Sequence, residues 1–336
     1  MIVSWNTTNQ CNMSCPHCYR DAGEQVTGEL TTAEGKKLIS QIAEAGFKIM
    51  IFSGGEPLLR PDIFELTEHA AATGLRPVFG TNGTLITADC ANQLKAAGTQ
   101  AMGISLDSLN PEKHNRFRGL SHAWEDTVKA MGECRAAGLA FQLHTTVMEW
   151  NYNEITEITD FAREQGAIAH HVFFLVPTGR AKEIEAESVA PVDYERLLRR
   201  LMDKQQREGF EIKPTCAPQF VRIAQQMGIN TRFQRGCLAG LAYCIISPNG
   251  LVQPCAYLDI VAGDVRQQDF ATIWKQSPVF TVLRTQQYEG KCGQCDYKAT
   301  CAGCRARAAY YHNGNYMAED SWCLYHPKFH NQDEQI

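Results

Sequence analysis

The stretch Cys11-Asn-Met-Ser-Cys15-Pro-His-Cys18 follows an apolar segment, Met1–Trp5, and marks a loop at the end of the first predicted strand. Asn, Thr and Pro residues around the motif are typical of loops. Four cysteines complete the ligand set of a [4Fe–4S] cluster, whereas three leave one iron open to another ligand. A chain with 14 cysteines in 336 residues contains this triple by chance about 0.02 times. The spacing therefore predicts a cluster with one open iron, in preference to scattered core thiols or a disulfide loop.

A second motif, Ser53-Gly-Gly-Glu-Pro57, ends the next predicted strand, Lys48–Ser53. Gly54 and Gly55 allow the backbone to approach a ligand closely, because neither residue has a side chain. The Glu56 carboxylate is placed to accept hydrogen bonds from an ammonium group. Such a turn is common when it occurs alone, but here it follows the three-cysteine loop by one strand. The two motifs together indicate one ligand site.

Apolar segments of strand length alternate with helical patterns through roughly the first 200 residues. The alternation predicts six βα units, and therefore parallel strands joined by crossover helices. Six units are too few for a closed eight-stranded barrel. The expected fold class is α/β, a partial (β/α)6 barrel with a cysteine-rich, loop-dominated iron–sulfur domain at its C-terminus. The expected domains are a barrel at 1–190, a linking helix and irregular segment at 191–234, and the iron–sulfur domain at 235–336.

Eight of the 14 cysteines lie after residue 234. The dense string is Cys292-x2-Cys295-x5-Cys301-x2-Cys304, followed by Cys323, and Cys237, Cys244 and Cys255 precede it. These spacings suit iron–sulfur clusters, but CxxC pairs also suit tetrahedral zinc. Three clusters would contain roughly twelve irons per chain, whereas the zinc alternative would give roughly four irons and two zincs.

The CxxxCxxC loop and the GGEP turn resemble those of radical S-adenosylmethionine (SAM) enzymes, and the C-terminal cysteines resemble the SPASM extension of that family. The resemblance implies that the open iron chelates SAM and that the reduced cluster cleaves it to a 5′-deoxyadenosyl radical. It places SAM contacts at Gly54, Gly55, Glu56, Pro57, Ser105 and Arg118, although a solvated helix-end arginine is the alternative for Arg118.

The SPASM resemblance implies two auxiliary [4Fe–4S] clusters besides the SAM cluster. The cysteines Cys11, Cys15 and Cys18 would hold the SAM cluster; Cys237, Cys244, Cys255 and Cys304 auxiliary cluster I; and Cys292, Cys295, Cys301 and Cys323 auxiliary cluster II. Two residues precede Cys304 in the last spacing, where the family commonly has three, so the assignment of Cys304 stays open.

The strings Ile2-Val-Ser-Trp-Asn-Thr-Thr-Asn-Gln-Cys11 and Cys18-Tyr-Arg-Asp-Ala-Gly23 resemble the heme synthases of the siroheme-dependent pathway (AhbD), which are related to NirJ proteins. The resemblance implies oxidative decarboxylation of two propionates of iron-coproporphyrin III to vinyl groups, with an auxiliary cluster accepting the remaining electron and a ferredoxin- or flavodoxin-type reductant. Two alternatives stay open: a peptide modifier similar to sulfatase maturases, and a NirJ-like enzyme acting on a modified siroheme. The three-cysteine loop and the GGEP turn argue against a simple electron-transfer protein.

Arginines bind carboxylates bidentately, so Arg20, Arg60 and Arg180, which lie beside strand-end motifs, are candidates for binding propionates. Surface arginines are the alternative. Cys216, in an irregular segment, is either a core thiol or a substrate contact. Cys90 and Cys134 fall on helical patterns and are expected to be buried, and His170-His171 is expected to be structural.

The chain carries a formal net charge of −5 with a pI near 6.1, and no run of Lys or Arg indicates a nucleic-acid surface. No signal peptide or membrane span is expected, because no long apolar stretch occurs. Closely spaced thiols fit metal binding in a reducing cytoplasm. Residues Asn331–Ile336 are expected to form a frayed tail.

Overall fold

The structure is a computed structural model, and it describes residues 1–327. Seven parallel strands form the body of the sheet. They are β1 (Ile2–Asn6), β2 (Ile49–Ser53), β3 (Arg76–Thr81), β4 (Ala101–Ser105), β5 (Phe141–Val147), β6 (Ala169–Phe174) and β7 (Glu211–Thr215). The predicted tail at 331–336 lies outside the described residues.

Helices follow the strands and cover the outer face of the sheet. They are α1 (Thr32–Glu44), α2 (Ile63–Ala72), α3 (Ala88–Ala96), α4 (Pro111–Arg118), α5 (Ala123–Ala136), α6 (Ile155–Glu164), α7 (Pro191–Glu208) and α8 (Gln219–Gln226). Short 3-10 segments occur at Pro57–Leu59, Glu149–Glu154 and Gly179–Glu187. Helix α1 begins with a capping box between Thr31 and Glu34, which satisfies backbone N–H groups at its first turn.

The C-terminal region contributes three further strands to the same sheet. They are β8 (Tyr243–Ile246), β9 (Leu251–Gln253) and β10 (Gly263–Asp264), and the strand order is β10-β9-β8-β1-β2-β3-β4-β5-β6-β7. Strand β8 runs parallel to β1, and β8 and β9 form an antiparallel hairpin whose turn contains Ser247-Pro-Asn-Gly250, a sequence typical of such turns. Because β10 and β7 form the two ends, the sheet does not close, and the predicted partial barrel is confirmed.

Short helices complete the C-terminal region. They are α9 (Phe270–Gln276), α10 (Pro278–Thr285), α11 (Gly290–Gly293) and α12 (Arg305–Tyr311). Among residues 1–327, no helix is long and apolar enough to cross a membrane.

Strand β7 lies in a segment for which the sequence analysis predicts irregular structure. Pro214 lies in the strand and cannot donate a backbone hydrogen bond, and for this reason the pattern does not read as a strand. In the structure β7 is the last strand of the sheet and pairs only with β6, so one side of its backbone needs no partner. The prediction of an irregular link is wrong here, and β7 with α8 adds a seventh βα unit.

The core lies between the sheet and the outer helices. Trp5, Phe52 and Phe79 stack along β1 to β3, with successive ring centroids 6.2 and 5.3 Å apart. Cys134 is buried as predicted, whereas Cys90 is only half-buried. His170 is buried and bonds to the hydroxyls of Thr145 and Thr159, which confirms its structural role.

Candidate active site

A cavity of about 440 Å³ lies at the carboxyl ends of the parallel strands, where α/β barrels carry their chemistry. Its wall contains the three cysteines of the first loop, Gly54 and Gly55. The same wall contains four further cysteines, which are Cys216, Cys237, Cys255 and Cys304. Two groups of thiols therefore face one shared cavity.

The cysteine loop is held in shape by its own backbone. Gln10 and Gly23 form a bridge, and the Cys11 N–H donates to the Gly23 carbonyl at 2.8 Å. The Cys18 N–H donates to the Cys15 carbonyl at 3.2 Å, which closes the turn between these two thiols. The loop is therefore preorganised to present its three sulfur atoms to one side.

Arg180 clamps this loop from the far side of the barrel. Its Nε donates to the Cys15 carbonyl and its Nη1 to the Ala22 carbonyl, both at 2.9 Å. Its backbone N–H donates to the Cys18 carbonyl at 3.1 Å. Arg180 lines the cavity, but its guanidinium holds the cysteine loop, so the prediction that it binds a propionate is replaced by a positioning role.

The two glycines of the GGEP turn pack against the chain that leads into the cysteine loop. The Gly55 N–H donates to the Thr8 carbonyl, and the Glu56 N–H donates to the Gln10 carbonyl, both at 2.8 Å. A Cβ atom on Gly54 would collide with the Thr8 carbonyl oxygen, and one on Gly55 with that of Gln10. Only glycine fits this approach, so the structure explains why both motifs occur together, and the cradle suits a cofactor bound beside the cysteines.

The Glu56 carboxylate does not take the position predicted for it. It is fully buried and accepts hydrogen bonds from the Thr81 hydroxyl at 2.8 Å and from the Asn82 N–H at 2.9 Å. Burial raises the pKa of Glu56 to about 7, although these hydrogen bonds oppose the rise. Glu56 therefore fixes the turn after β3, and among the described residues neither it nor Pro57 belongs to the cavity wall.

Ser105 and Arg118 both line the cavity, as predicted for contacts with SAM. The Ser105 hydroxyl donates to the Thr81 carbonyl at 3.2 Å. The Arg118 Nε pairs with the Asp107 carboxylate at 2.6 Å, and both side chains are buried. Although burial opposes ionisation, Arg118 keeps the pKa of Asp107 below its usual value. Arg118 is therefore a buried, fixed cation beside the cysteine loop and not a solvated helix end.

Burial also acts on the thiols of the first loop. It raises the pKa of Cys11 to about 11, and it raises the pKa of Cys15 as well. Metal ligation requires thiolates, so a cation must supply the stabilisation that water does not. The donor set and its surroundings therefore suit an iron–sulfur cluster, whose binding would release these protons.

The second thiol group differs from the predicted one in a single member. The pKa of the Cys216 thiol lies well above its ordinary value. Burial is the main cause, and the neighbouring thiols of Cys304, Cys255 and Cys237 raise this pKa further. Cys244 instead lies fully buried on β8 within the main hydrophobic core. The structure therefore brings Cys216, and not the predicted Cys244, to Cys237, Cys255 and Cys304.

The third thiol group lies where the sequence predicts it. A second cavity, of about 20 Å³, is lined by Cys292, Cys295, Cys301 and Cys323. A structural zinc site would hold its thiolates about 2.3 Å from a single ion, and within residues 1–327 no group of three or more His, Cys, Asp or Glu is arranged to hold one ion. Four cysteines are also the complete ligand set of a [4Fe–4S] cluster.

A buried ion pair connects the second and third thiol groups. The Arg307 Nε and the Asp320 carboxylate are 3.0 Å apart, and both side chains are 0% exposed. Asp320 also accepts a hydrogen bond from the Cys304 N–H at 2.7 Å, and its own N–H donates to the Cys292 Sγ at 3.4 Å. Arg307 Nη2 donates to the Cys216 carbonyl at 2.7 Å. One ion pair therefore positions cysteines of both groups.

Comparisons with known proteins agree with this arrangement. The family model of the Radical SAM superfamily matches residues 5–162, and that of the SPASM iron–sulfur cluster-binding domain matches residues 237–305. The AdoMet-dependent heme synthase of Methanosarcina barkeri is 43% identical over 97% of both chains, and that of Nitratidesulfovibrio vulgaris is 40% identical over 97% of this chain and 93% of its own. This chain belongs to the family of AdoMet-dependent heme synthases.

The radical SAM fold extends to solved structures with little sequence similarity. Streptococcus suis SuiB, bound to its precursor peptide SuiA, has a TM-score of 0.79 at 18% identity, over 96% of this chain and 76% of that chain. As a member of this family, the chain binds AdoMet (SAM) and iron–sulfur clusters.

Two predicted substrate arginines of this radical SAM chain are used by the protein itself. Arg60 pairs with Asp62 at 2.6 Å and donates to the carbonyls of Thr7 and Leu30 at 2.6 and 2.8 Å. Arg20 donates to the Gln253 side chain at 3.0 Å. In the described part of the chain, neither belongs to the cavity wall. The structure therefore contradicts both predictions. The Arg60 guanidinium is used in folding, and Arg20 lies outside the cavity wall, where its Nη1 is bonded and its buried Nη2 has no hydrogen-bond partner within residues 1–327.

Several polar cavity residues were not predicted from the sequence, and three of them are His17, His144 and Lys213. His17 lies within the cysteine loop and stacks on Phe117, with ring centroids 4.0 Å apart, and burial lowers its pKa to about 3. His144 on β5 and Lys213 on β7 also line the cavity. The alternation of side chains along predicted strand β5 could have placed His144 on the inner face of the sheet. Lys213 could not be placed in this way, because Pro214 keeps β7 from being predicted as a strand.

Proposed function

We propose that the protein is a heme synthase that converts two propionate side chains of iron-coproporphyrin III to vinyl groups, giving protoheme and two CO2. Each conversion removes one hydrogen atom, one CO2 and one electron from a propionate. The observation that supports the proposal most strongly is the shared cavity, in which the SAM-type cysteine loop and a second thiol group face the same space. The family relationship supports the porphyrin substrate.

We also propose three [4Fe–4S] clusters with revised ligands. The SAM cluster would be held by Cys11, Cys15 and Cys18; auxiliary cluster I by Cys216, Cys237, Cys255 and Cys304; and auxiliary cluster II by Cys292, Cys295, Cys301 and Cys323. When bound, the first cluster and SAM supply a 5′-deoxyadenosyl radical, and an auxiliary cluster supplies an electron acceptor. A ferredoxin- or flavodoxin-type protein is the proposed source of reducing electrons.

The protein's own residues prepare the cavity for this chemistry. Arg180 and the glycine turn fix the cysteine loop, whose three thiols line the cavity and would hold the SAM cluster there. Ser105 and the Arg118–Asp107 pair provide a polar wall next to that loop. The tyrosines Tyr19 and Tyr257 pack at 5.1 Å between ring centroids and give an aromatic surface to another part of the wall.

The test is an anaerobic assay of reconstituted protein with SAM, dithionite and iron-coproporphyrin III. We expect heme and 5′-deoxyadenosine as products. Cys15→Ala should abolish SAM cleavage but leave the other thiol groups able to bind iron, because its side chain belongs to the first loop alone. Cys90→Ala is the matched control, since Cys90 is a half-buried thiol on α3, and it should retain activity.

Two results would contradict the proposal and favour an alternative. Formation of 5′-deoxyadenosine only with a cysteine- or serine-containing peptide would favour a peptide modifier similar to sulfatase maturases. Conversion of a modified siroheme, with iron-coproporphyrin III left unchanged, would favour a NirJ-like reaction.

A further inference from the structure

The cavity wall contains four Lys or Arg side chains, which are Arg118, Arg180, Lys213 and Arg305. Three of them are committed to the protein. Arg118 pairs with Asp107, Arg180 binds carbonyls of the cysteine loop, and Arg305 Nη1 donates to the carbonyls of Tyr316 and Ala318 at 3.0 and 2.7 Å. Within residues 1–327, Lys213 is the cavity cation whose charged nitrogen has no hydrogen bond or ion pair to the protein.

Lys213 is placed on the inner face of the sheet by strand alternation. Its neighbour Ile212 is buried in the main core on the side of the helices, whereas the Lys213 and Thr215 side chains line the cavity, and Pro214 between them also belongs to its wall. In the sheet register Lys213 pairs with His171 of β6, and His171 pairs with His144 of β5. A polar row therefore crosses three strands at one level.

The ammonium group of Lys213 is held between two aromatic rings. Its Nζ lies 4.0 Å from the ring centroid of Phe220 and 3.9 Å from that of Phe233. Aromatic faces attract a cation and restrict its position without satisfying its N–H groups. Those N–H groups remain available to an oxygen anion that enters the cavity.

The charged and titratable groups near Lys213 do not neutralise its ammonium group as a bound anion would. Burial lowers the pKa of Lys213 to about 7, and Glu211 on the same strand opposes this only in part. Burial likewise lowers the pKa of His144 to about 4, so His144 is neutral and supplies no competing positive charge. An incoming carboxylate would stabilise the protonated lysine, and the lysine would fix the carboxylate.

We propose that the Lys213 ammonium, held between Phe220 and Phe233, binds a carboxylate side chain of the substrate. This assignment rests on the proposed function, in which the substrate is a porphyrin with propionate groups. It replaces Arg20, Arg60 and Arg180 as the anchoring cation. The anchored carboxylate would set how the porphyrin is rotated relative to the cysteine loop.

The test measures equilibrium binding of iron-coproporphyrin III to the cluster-loaded protein by its Soret absorbance. Lys213→Met should weaken binding about ten- to a hundred-fold, as expected for loss of a hydrogen bond between charged groups. Lys213→Arg should restore most of the affinity, since it keeps the charge. Lys129→Met, at an exposed position on α5, is the matched control and should bind as the wild type does.

A second measurement compares two ligands on the same protein, and its wild-type part does not depend on how a variant folds. The wild type should bind iron-coproporphyrin III more tightly than its tetramethyl ester, and Lys213→Met should discriminate less between the two. Iron content and SAM binding of Lys213→Met should match the wild type.

Equal binding of acid and ester by the wild type, or wild-type affinity in Lys213→Met, would overturn the assignment. If Lys213→Met binds as the wild type does and heme still forms, only the lysine assignment fails. If the wild type neither binds iron-coproporphyrin III nor forms heme, the proposed function fails with it.

Discussion

The exchange of Cys216 for Cys244 in auxiliary cluster I can be tested by comparing two single substitutions. Cys216→Ser replaces a thiol that faces Cys237, Cys255 and Cys304 across the cavity wall. Cys244→Ala replaces a thiol that is 0% exposed in the main core, on the strand β8 beside β1. The two substitutions therefore separate the ligand role from the packing role.

Local backbone geometry supports a special role for Cys216. Its φ is +56°, a left-handed conformation that a residue with a side chain rarely adopts, and one that costs about 1–2 kcal/mol. The Arg307 guanidinium holds its carbonyl at 2.7 Å. A strained position persists when surrounding contacts determine it, and such positions cluster at functional sites. The Cys216 thiol lies beside the other three in this conformation.

The two variants should differ in iron content and not only in stability. Complete reconstitution should give roughly twelve irons per chain, and Cys216→Ser should fall to roughly eight after desalting because one cluster loses a ligand. Cys244→Ala should keep roughly twelve irons and lose about 1 kcal/mol of unfolding free energy, the cost of removing one buried atom of methylene size.

The assay combines iron analysis with electron paramagnetic resonance of the dithionite-reduced protein. Cys216→Ser should change the signal of one auxiliary cluster and leave the SAM-dependent change of the first cluster intact. If Cys244→Ala loses roughly four irons while Cys216→Ser retains all of them and an unchanged spectrum, the reasoning from the cavity wall is refuted.

Three further predictions follow from contacts in the structure. Asp320→Asn should lower the free energy of unfolding by about 3–5 kcal/mol, because Arg307 would keep a buried charge without its partner. The control is Asp203→Asn, since Asp203 is exposed and pairs with Arg207 at 2.8 Å. Denaturant titration should show a loss of under about 0.5 kcal/mol for this control. Equal losses would contradict this. Gly55→Ala should abolish SAM binding measured by calorimetry, because its Cβ would meet the Gln10 carbonyl oxygen, whereas Gly132→Ala, with open space at its Cβ, should bind SAM normally. Porphyrin binding should weaken as pH rises from 6 to 9, because the free Lys213 loses its proton near a pKa of about 7, whereas Lys213→Arg stays charged; parallel pH profiles for the two proteins would argue against this.

Much of the fold could be predicted because sequence periodicity and glycine placement act locally. The alternation of apolar strands and helical patterns predicts β1 to β6 and the open barrel. The GGEP turn could be placed beside the cysteine loop because only glycine tolerates such close approach. The exception, β7, shows that a proline at a sheet edge removes the usual strand signal without preventing strand pairing.

The residues around the cavity were harder to predict, because sequence spacing does not determine which thiols face the same space. Cys244 lies on an apolar strand, and alternation sends its side chain into the core, whereas Cys216 reaches the cavity from the end of β7. The arginines show the same limit. Arg60 and Arg180 bind backbone carbonyls that are distant in sequence, and such contacts have no local signature.

The Arg307–Asp320 pair links these separate features into one structural unit. Asp320 contacts the N–H of Cys304 in one auxiliary group and the Sγ of Cys292 in the other, while Arg307 holds the Cys216 carbonyl. Both charges are fully buried, so neither side chain can move away without leaving the other unpaired. The same ion pair therefore couples the second and third thiol groups, and it also holds Cys216 and Cys304 in the cavity wall. A substrate in that cavity would meet a rigid surface on the auxiliary side, with the aromatic-held Lys213 nearby on β7 as its charged anchor.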